Sequence, residues 1–325
     1  MRLLREKDAG LGKRGIGWRI TGVASRRLGW VVDESGLGIE RLLSGEMASA
    51  PQIGGVREWL RAAKPDVLFE ATSLEPRSGQ PAIEHIRAAL EHGAHAITAN
   101  KGPIVHAYEE LQELAQTRGK RFLFESTVMD GVPIFSLFRD SLPVIELRGF
   151  HGILNSTTNV ILSGMEEGLS LEESLKKAQE IGVAESDASH DIDGWDAAVK
   201  VAALVRVLMG VPLKLGEIQR EGIAALSAER VRAARREGRP YKLVCRARLT
   251  GDGARASVRP EKVPEGDPMA GITGTSSIVY FETDLFPGLA VTEIDPGVEA
   301  TAYGMLADFV RAVEGGARSE GHLKR

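Results

Sequence analysis

Between Pro65 and Glu125 short apolar runs alternate with amphipathic helical stretches, and this alternation constrains the fold more than any other feature of the chain. Val67 to Glu70 is an apolar run behind Pro65 and Asp66, suited to a buried parallel strand. Pro81 to His92 has a 3.6-residue period, with Ile83, Ile86, Ala89 and Leu90 on one stripe, and Gly93 supplies a C-terminal stop. Ala96 to Ala99 reads as the next strand, Tyr108 to Arg118 as a helix with Leu111 and Leu114 inward, and Arg121 to Glu125 as another strand. Strand, helix, strand, helix predicts an α/β domain with a parallel sheet and right-handed crossovers. Ahead of it, Met1 to Asp8 reads as the tail of a helix with Leu3 and Leu4 inside, ending at Gly10 and Gly12. Trp18 to Ala24 alternates and is β-rich, so it reads as an earlier strand of the same domain.

Beyond Val128 the pattern changes to longer helices, Leu171 to Ile181 and Asp193 to Met209. β-rich segments follow at Leu243 to Thr250, Ser277 to Phe281 and Ala290 to Glu293, which predicts a second, α+β domain. With 325 residues, 43% of them hydrophobic, the chain suits two domains. The final helix, Ala302 to Ala312, is expected to return to the first. The boundaries fall near 127 and 300, so residues 1–127 plus 301–325 form one domain and 128–300 the other.

Charged residues make up 26% and the formal net charge is -4, so no long-range field favours nucleic acid or an anionic membrane surface. The arginine-rich stretch Glu229 to Arg248 also carries Glu229 and Glu237 and few aromatics, and reads as a solvated helix face. The longest apolar stretch, Ala197 to Gly210, is interrupted by Lys200 and Arg206 and falls short of a membrane span. The charged N-terminus carries no export signal, and the single cysteine, Cys245, excludes an internal disulfide or a multi-cysteine metal site; both fit a reducing cytoplasm.

A doubly wound sheet is built outward from its first strand, and the glycine-rich turn after that strand cradles a dinucleotide pyrophosphate. Here no GxGxxG precedes the first helix, and Gly10, Gly12, Gly15 and Gly17 follow it, in the wrong place for a phosphate turn. Removing a central strand would leave backbone groups unpaired in a buried sheet, so the natural protein is expected to begin upstream of Met1. The alternative is a degenerate domain that binds no cofactor. After the strand ending at Ala24, the position of an acidic ribose partner holds Ser25, Arg26 and Arg27. A hydroxyl and guanidinium there suit the 2′-phosphate of NADP rather than NAD, unless they are plain surface arginines.

Three constellations carry chemistry. The densest, Val183 to Lys200, holds Glu185, Asp187, Asp191, Asp193 and Asp196 ahead of Lys200. Asp191 and Asp193 have a bland reading as caps of the following helix. Asp196 and Lys200, four apart, share a helical face whose neighbours Ala197, Val201, Ala203 and Leu204 are apolar, so the pair is either a surface salt bridge or a partly buried functional one. An EF-hand alignment fails because Lys200 stands where the bidentate glutamate belongs, and the scattered histidines argue against a transition metal. The second constellation, Thr98 to Pro103 (TANKGP), follows a strand and places Asn100 and Lys101 at the sheet's carboxyl edge, with Thr72 and Ser73 on the same rim. The bland alternative for Lys101 is a solvated loop lysine. The third, Glu125 to Pro133 (ESTVMDGVP), offers a carboxylate and irregular carbonyls to a hard cation.

In this order TANKGP, ESTVMDGVP, GILNSTTNVIL from Gly152, the AESD…DGWDAAVK segment and EATAYG from Glu299 resemble the homoserine dehydrogenase family over nearly the whole chain. The resemblance implies a Rossmann-type domain lacking its first strand, a second catalytic and dimerisation domain, and interconversion of L-homoserine and L-aspartate 4-semialdehyde with NADP or NAD. It implies Lys101 and Lys200 as catalytic lysines, Glu185 as substrate-binding, Asp196 as the substrate-side aspartate, and Thr72, Lys101 and Gly297 as cofactor contacts. A monovalent cation such as sodium would sit at Glu125 and the backbones of Val128, Asp130 and Val132. A homodimer through the second domain's sheet is also implied, and feedback control by an appended amino-acid-binding domain is not expected. The competing readings are a dehydrogenase of another small amino-acid aldehyde and a paralogue without catalysis.

Overall fold

The computed structural model describes residues 1–45 and 53–317, so residues 318–325, assigned above to the first domain, lie outside the described residues. The chain divides into two compact units: Met1–Gly131 with the chain from Val298 onward, and Val132–Gly297. No helix among the described residues is long and apolar enough to cross a membrane.

The first unit opens with α1 (Arg2–Glu6) and α2 (Asp8–Lys13). The expected stop at Gly10 and Gly12 does not occur: α2 runs through both, and the chain turns at Gly15, where φ is 74°. Leu11 and Ile16 are buried against Ile97, Leu123 and Phe309, and that burial outweighs the roughly 1 kcal/mol that each helical glycine costs. β1 (Gly22–Ser25) and β2 (Gly29–Val32) form an antiparallel hairpin. The strand expected over Trp18–Ala24 therefore shifts towards Ser25 and pairs outside the parallel sheet. Its turn explains why: Gly29 takes φ 69°, and the Ser25 hydroxyl accepts the Leu28 N–H at 3.0 Å.

Next come α3 (Ile39–Ser44), α4 (Val56–Ala63), β3 (Val67–Glu70), α5 (Ala82–His92), β4 (His95–Thr98), α6 (Gly102–Thr117) and β5 (Phe122–Leu123). β3, β4 and β5 form a parallel sheet in that order. One face packs on Leu11, Ile16 and residues Leu306, Phe309 and Ala312 of the final helix, Val298–Ala317. The other packs on Trp59, Leu60 and Ala63 of α4 and Ala88 and Ala89 of α5, giving helices on both sides of the sheet. The helix expected from Tyr108 begins at Gly102, with Pro103 in its first turn and an irregularity at Ala107.

The second unit contains α7 (Ile134–Ser136), β6 (Leu147–Ile153), α8 (Ser156–Glu167), α9 (Leu171–Glu180), α10 (Ser189–Ile192), α11 (Trp195–Met209), β7 (Gln219–Arg220), α12 (Ala228–Arg236), β8 (Tyr241–Thr250), β9 (Gly253–Lys262), β10 (Ser277–Thr283) and β11 (Leu289–Glu293). Its six-stranded sheet runs β11-β10-β6-β8-β9-β7, antiparallel except that β7 lies parallel to β9. Ser170 and Glu173 close a capping box that starts α9 where the periodicity places it. β6 and β9 escape the alternation pattern. β6 is interrupted by Gly149 and Gly152, and a Cβ on Gly152 would collide with the Ile278 carbonyl of β10. β9 contains Pro260, tolerated because its outer neighbour β7 pairs only with Ser257 and Val258.

Candidate active site

In the second unit the site is built around the junction of β6 and α8. Asn155 is the N-cap of α8: its side-chain oxygen accepts the Thr158 N–H at 2.8 Å and the Thr158 hydroxyl at 2.8 Å. Its amide nitrogen donates to Asp191 Oδ1 at 2.6 Å and to Asp196 Oδ2 at 3.0 Å. The Lys200 ammonium lies 3.3 Å from Asp196 and donates to the Leu154 carbonyl at 2.6 Å. The side chains of Lys200 and Asp196 are 15% and 19% exposed, so the pair is mostly withdrawn from water and still reachable. Cys245 of β8 is buried nearby; burial pushes its thiol up to about 12, against the opposing pull of the Lys200 charge.

The reading of Asp191 and Asp193 as caps of α11 is corrected here. The N-cap is Gly194 in the left-handed conformation (φ 78°), with no side-chain cap. Asp191 lies in α10 and turns to Asn155, while Asp193 ends α10 with an exposed side chain. Asp187, just ahead of α10, accepts the Ser189 N–H at 3.0 Å, and its bonding to Ser189 holds its carboxyl below its ordinary value. Glu185 is exposed on the α9–α10 connection, where Gln179 donates to its carbonyl at 3.0 Å.

In the first unit a hydrogen-bonded chain organises the carboxyl ends of β3 and β4. Glu70 is 3% exposed and accepts the Thr72 N–H at 2.7 Å, the Thr72 hydroxyl at 2.5 Å and the Thr98 hydroxyl at 2.6 Å. Thr98 Oγ1 in turn accepts the Asn100 N–H at 2.9 Å. The Asn100 amide donates to the Thr72 and Ser73 carbonyls at 3.0 and 3.3 Å and accepts the Gly102 N–H at 2.9 Å. Thr72, Ser73 and Lys101, the N-cap residue of α6, thus stand on two loops locked together at one rim. A polar rim of this kind fits the nicotinamide–ribose end of a dinucleotide. Arg26 lies in the exposed turn between β1 and β2, and Gly297 is an exposed residue just before the final helix. Among the described residues β3 has no neighbour on its other edge.

The predicted cation ligands meet a different environment. Glu125 is buried, and its carboxylate lies 3.2 Å from the Arg311 guanidinium, which also bonds Asp308 at 3.1 Å. The Glu125 N–H donates to Asp308 Oδ2 at 2.7 Å, and burial raises the Asp308 carboxyl to about 6. Asp130, at φ 48°, turns its carboxylate to the Thr301 hydroxyl at 2.6 Å, and Val128 is buried. A guanidinium thus balances the Glu125 carboxylate at its Oε2, and no step is assigned to sodium.

Sequence reasoning gave no role to Asn155 or Glu70, and Thr98 entered only as the first residue of TANKGP. Asn155 had a local signal, an Asn three residues ahead of Thr158 at the start of an apolar run. Glu70 had none, because a carboxylate ending an apolar strand reads as its polar boundary.

A parallel sheet flanked by helices with a polar rim at its strand ends, followed by an α+β unit carrying a half-buried lysine among carboxylates, fits the class of nicotinamide-dependent oxidoreductases. The comparisons narrow this. The family model for homoserine dehydrogenase matches residues 133–310, and that for homoserine dehydrogenase, NAD binding domain, matches residues 2–125. An NAD(+)-dependent homoserine dehydrogenase of Pseudomonas canavaninivorans is 34% identical over 95% of this chain and 90% of its own length. A homoserine dehydrogenase of Methanocaldococcus jannaschii is 34% identical over 87% and 85%. Among solved structures, a homoserine dehydrogenase from Thiobacillus denitrificans superposes with a TM-score of 0.83 at 28% identity, covering 100% of this chain and 72% of that one. A hyperthermophilic archaeal homoserine dehydrogenase in complex with NADPH gives 0.78 at 25% identity over 95% and 93%. The chain belongs to the homoserine dehydrogenase family.

Proposed function

We propose that the chain interconverts L-homoserine and L-aspartate 4-semialdehyde with NAD(P), and that Lys200 moves the proton. The observation that carries this is the Lys200 ammonium set between the Leu154 carbonyl and Asp196, mostly withdrawn from water on a helix whose neighbouring residues are core. A nicotinamide, when bound, exchanges a hydride with C4 of the substrate. In the oxidative direction Lys200, acting as the neutral amine, takes the proton of the C4 hydroxyl and becomes the ammonium; in reduction that ammonium returns the proton to the carbonyl oxygen. Asp196, one turn earlier on the same helix, orients the ammonium. Glu185 anchors the substrate ammonium by charge, which selects amino-acid aldehydes over plain ones. Thr72, Ser73, Lys101 and Gly297 contact the cofactor, and Lys101 shares the catalytic work. Arg26 favours NADP over NAD by presenting a guanidinium to the 2′-phosphate.

A homodimer through the second unit's sheet is supported by the cross-strand row Tyr280, His151 and Arg246. Its aromatic rings stack with centroids 5.1 Å apart and stay part-exposed, a surface apt to meet its own copy. A lone cysteine, Cys245, that is free and buried supports a reading of cytoplasmic residence.

The test is turnover of L-homoserine with NADP and with NAD, followed by nicotinamide absorbance, for the chain and for Lys200→Ala. Lys200→Ala should lose at least about a thousandfold in kcat, in line with removal of a general base plus its positioning, with KM changing less. Wild-type turnover in Lys200→Ala would remove that lysine from the mechanism. Equal kcat/KM for both cofactors in Arg26→Ala, from an NADP-preferring parent, would support the reading of Arg26.

A further inference from the structure

We infer that Asn155 is a positioning residue for the Asp196–Lys200 pair, and that its amide, beyond capping α8, is what holds two carboxylates together beside the lysine. The inference rests on the assignment of Lys200 above.

The hydrogen-bonding capacity of a side-chain amide is two donors and two acceptor sites, and Asn155 uses all four. Its oxygen takes both donors of Thr158, and its two amide hydrogens go one each to Asp191 and Asp196. These partners also fix which way the amide faces, since the Thr158 N–H needs an acceptor and the two carboxylates need a donor. The residue is 3% exposed, so water cannot substitute for it. Asp191 and Asp196 lie on different helices, α10 and α11, joined through the left-handed Gly194. Two carboxylates brought to one amide repel each other, and the donors between them offset that repulsion.

Helix capping alone would accept Asn, Asp or Ser with little difference. Only the donor role demands the amide, and this separates the two explanations. Asn155→Asp keeps the acceptor for Thr158 but turns two donated bonds into like-charge contacts. Asp196 is then driven from its position against Lys200, and the added negative charge favours the ammonium form of the lysine. Asn155→Ser keeps a cap and has neither the reach nor the second donor.

The experiment measures kcat and its pH profile in the direction of homoserine oxidation, with thermal stability, for the parent, Asn155→Asp, Asn155→Ser and Lys200→Ala. The expected result is a loss of about a hundredfold in kcat in both Asn155 variants, the scale of a misplaced catalytic group. The rising limb of the profile should move to higher pH in Asn155→Asp only, while KM for the nicotinamide cofactor holds. Should Asn155→Asp fail to fold, Asn155→Ser decides the matter through kcat. Folded variants with parental kcat and pH profile, beside an inactive Lys200→Ala, would overturn the Asn155 assignment alone. A Lys200→Ala variant with full turnover would instead overturn the lysine assignment on which it rests.

Discussion

Lys242 of β8 is fully buried, with its ammonium donating to the Ile272 carbonyl at 2.5 Å and to Asn159 Oδ1 at 3.3 Å. Burial lowers its pKa from 10.5 to about 8, against the pull of Glu166, whose own carboxyl is raised by burial. A lysine whose folded pKa lies below its unfolded one penalises the fold while protonated in both states, here by about 3 kcal/mol. The penalty is full below the folded value and is relieved as pH rises towards the unfolded one, because the unfolded chain then holds the extra proton. From about pH 7.5 to about pH 9.5 this single group should add about 2 kcal/mol of stability. Lys242→Met, of similar length, removes that increment. It also strips the donor from Ile272 and Asn159, at a cost of roughly 1–3 kcal/mol, so its stability at one pH is less informative than its slope. The chain's only cysteine, Cys245, lies three residues along the same strand, buried and with its thiol pushed up to about 12, so it reacts with a thiol reagent only when the sheet opens. The assay compares Cys245 labelling rates at the two pH values, each normalised to unfolded chain. The ratio of protection at high to low pH should be roughly 20- to 30-fold larger in the parent than in Lys242→Met. Equal ratios would refute the argument, since every other titrating group is common to both chains.

Two further outcomes follow from the same reasoning. Gly152→Ala puts a Cβ against the Ile278 carbonyl and 2.8 Å from the Val279 Cα, so β6 and β10 must separate; unfolding should become easier by about 3 kcal/mol or more, read by denaturant midpoint. Glu70→Gln replaces a carboxylate that accepts three hydrogen bonds with an amide that has a single acceptor oxygen. KM for the nicotinamide should rise about tenfold while KM for homoserine moves less, and unchanged cofactor KM would detach the Glu70–Thr98–Asn100 chain from cofactor binding.

What the sequence by itself determined is whatever physics writes locally. The period of Pro81–His92 with Gly93 behind it, the apolar run Val67–Glu70 and the capping box at Ser170 each specify an element through neighbours along the chain, and each element formed. The four-residue spacing of Asp196 and Lys200 on an apolar helix already contained their pairing. Tertiary structure decided the rest, because it depends on partners far away in sequence. β1 left the parallel sheet for a hairpin once Gly29 allowed the turn, and α2 ran through two glycines to bury Leu11 against Phe309. Glu125 met Arg311, 186 residues on, a charge partner that no local pattern announces. Asn155 met Asp191 and Asp196 across 36 and 41 residues, so a residue that reads locally as a helix cap becomes the link between two carboxylates and a lysine. A hydrogen bond needs its partner within about 3 Å, and only the folded chain brings partners of such separation that close.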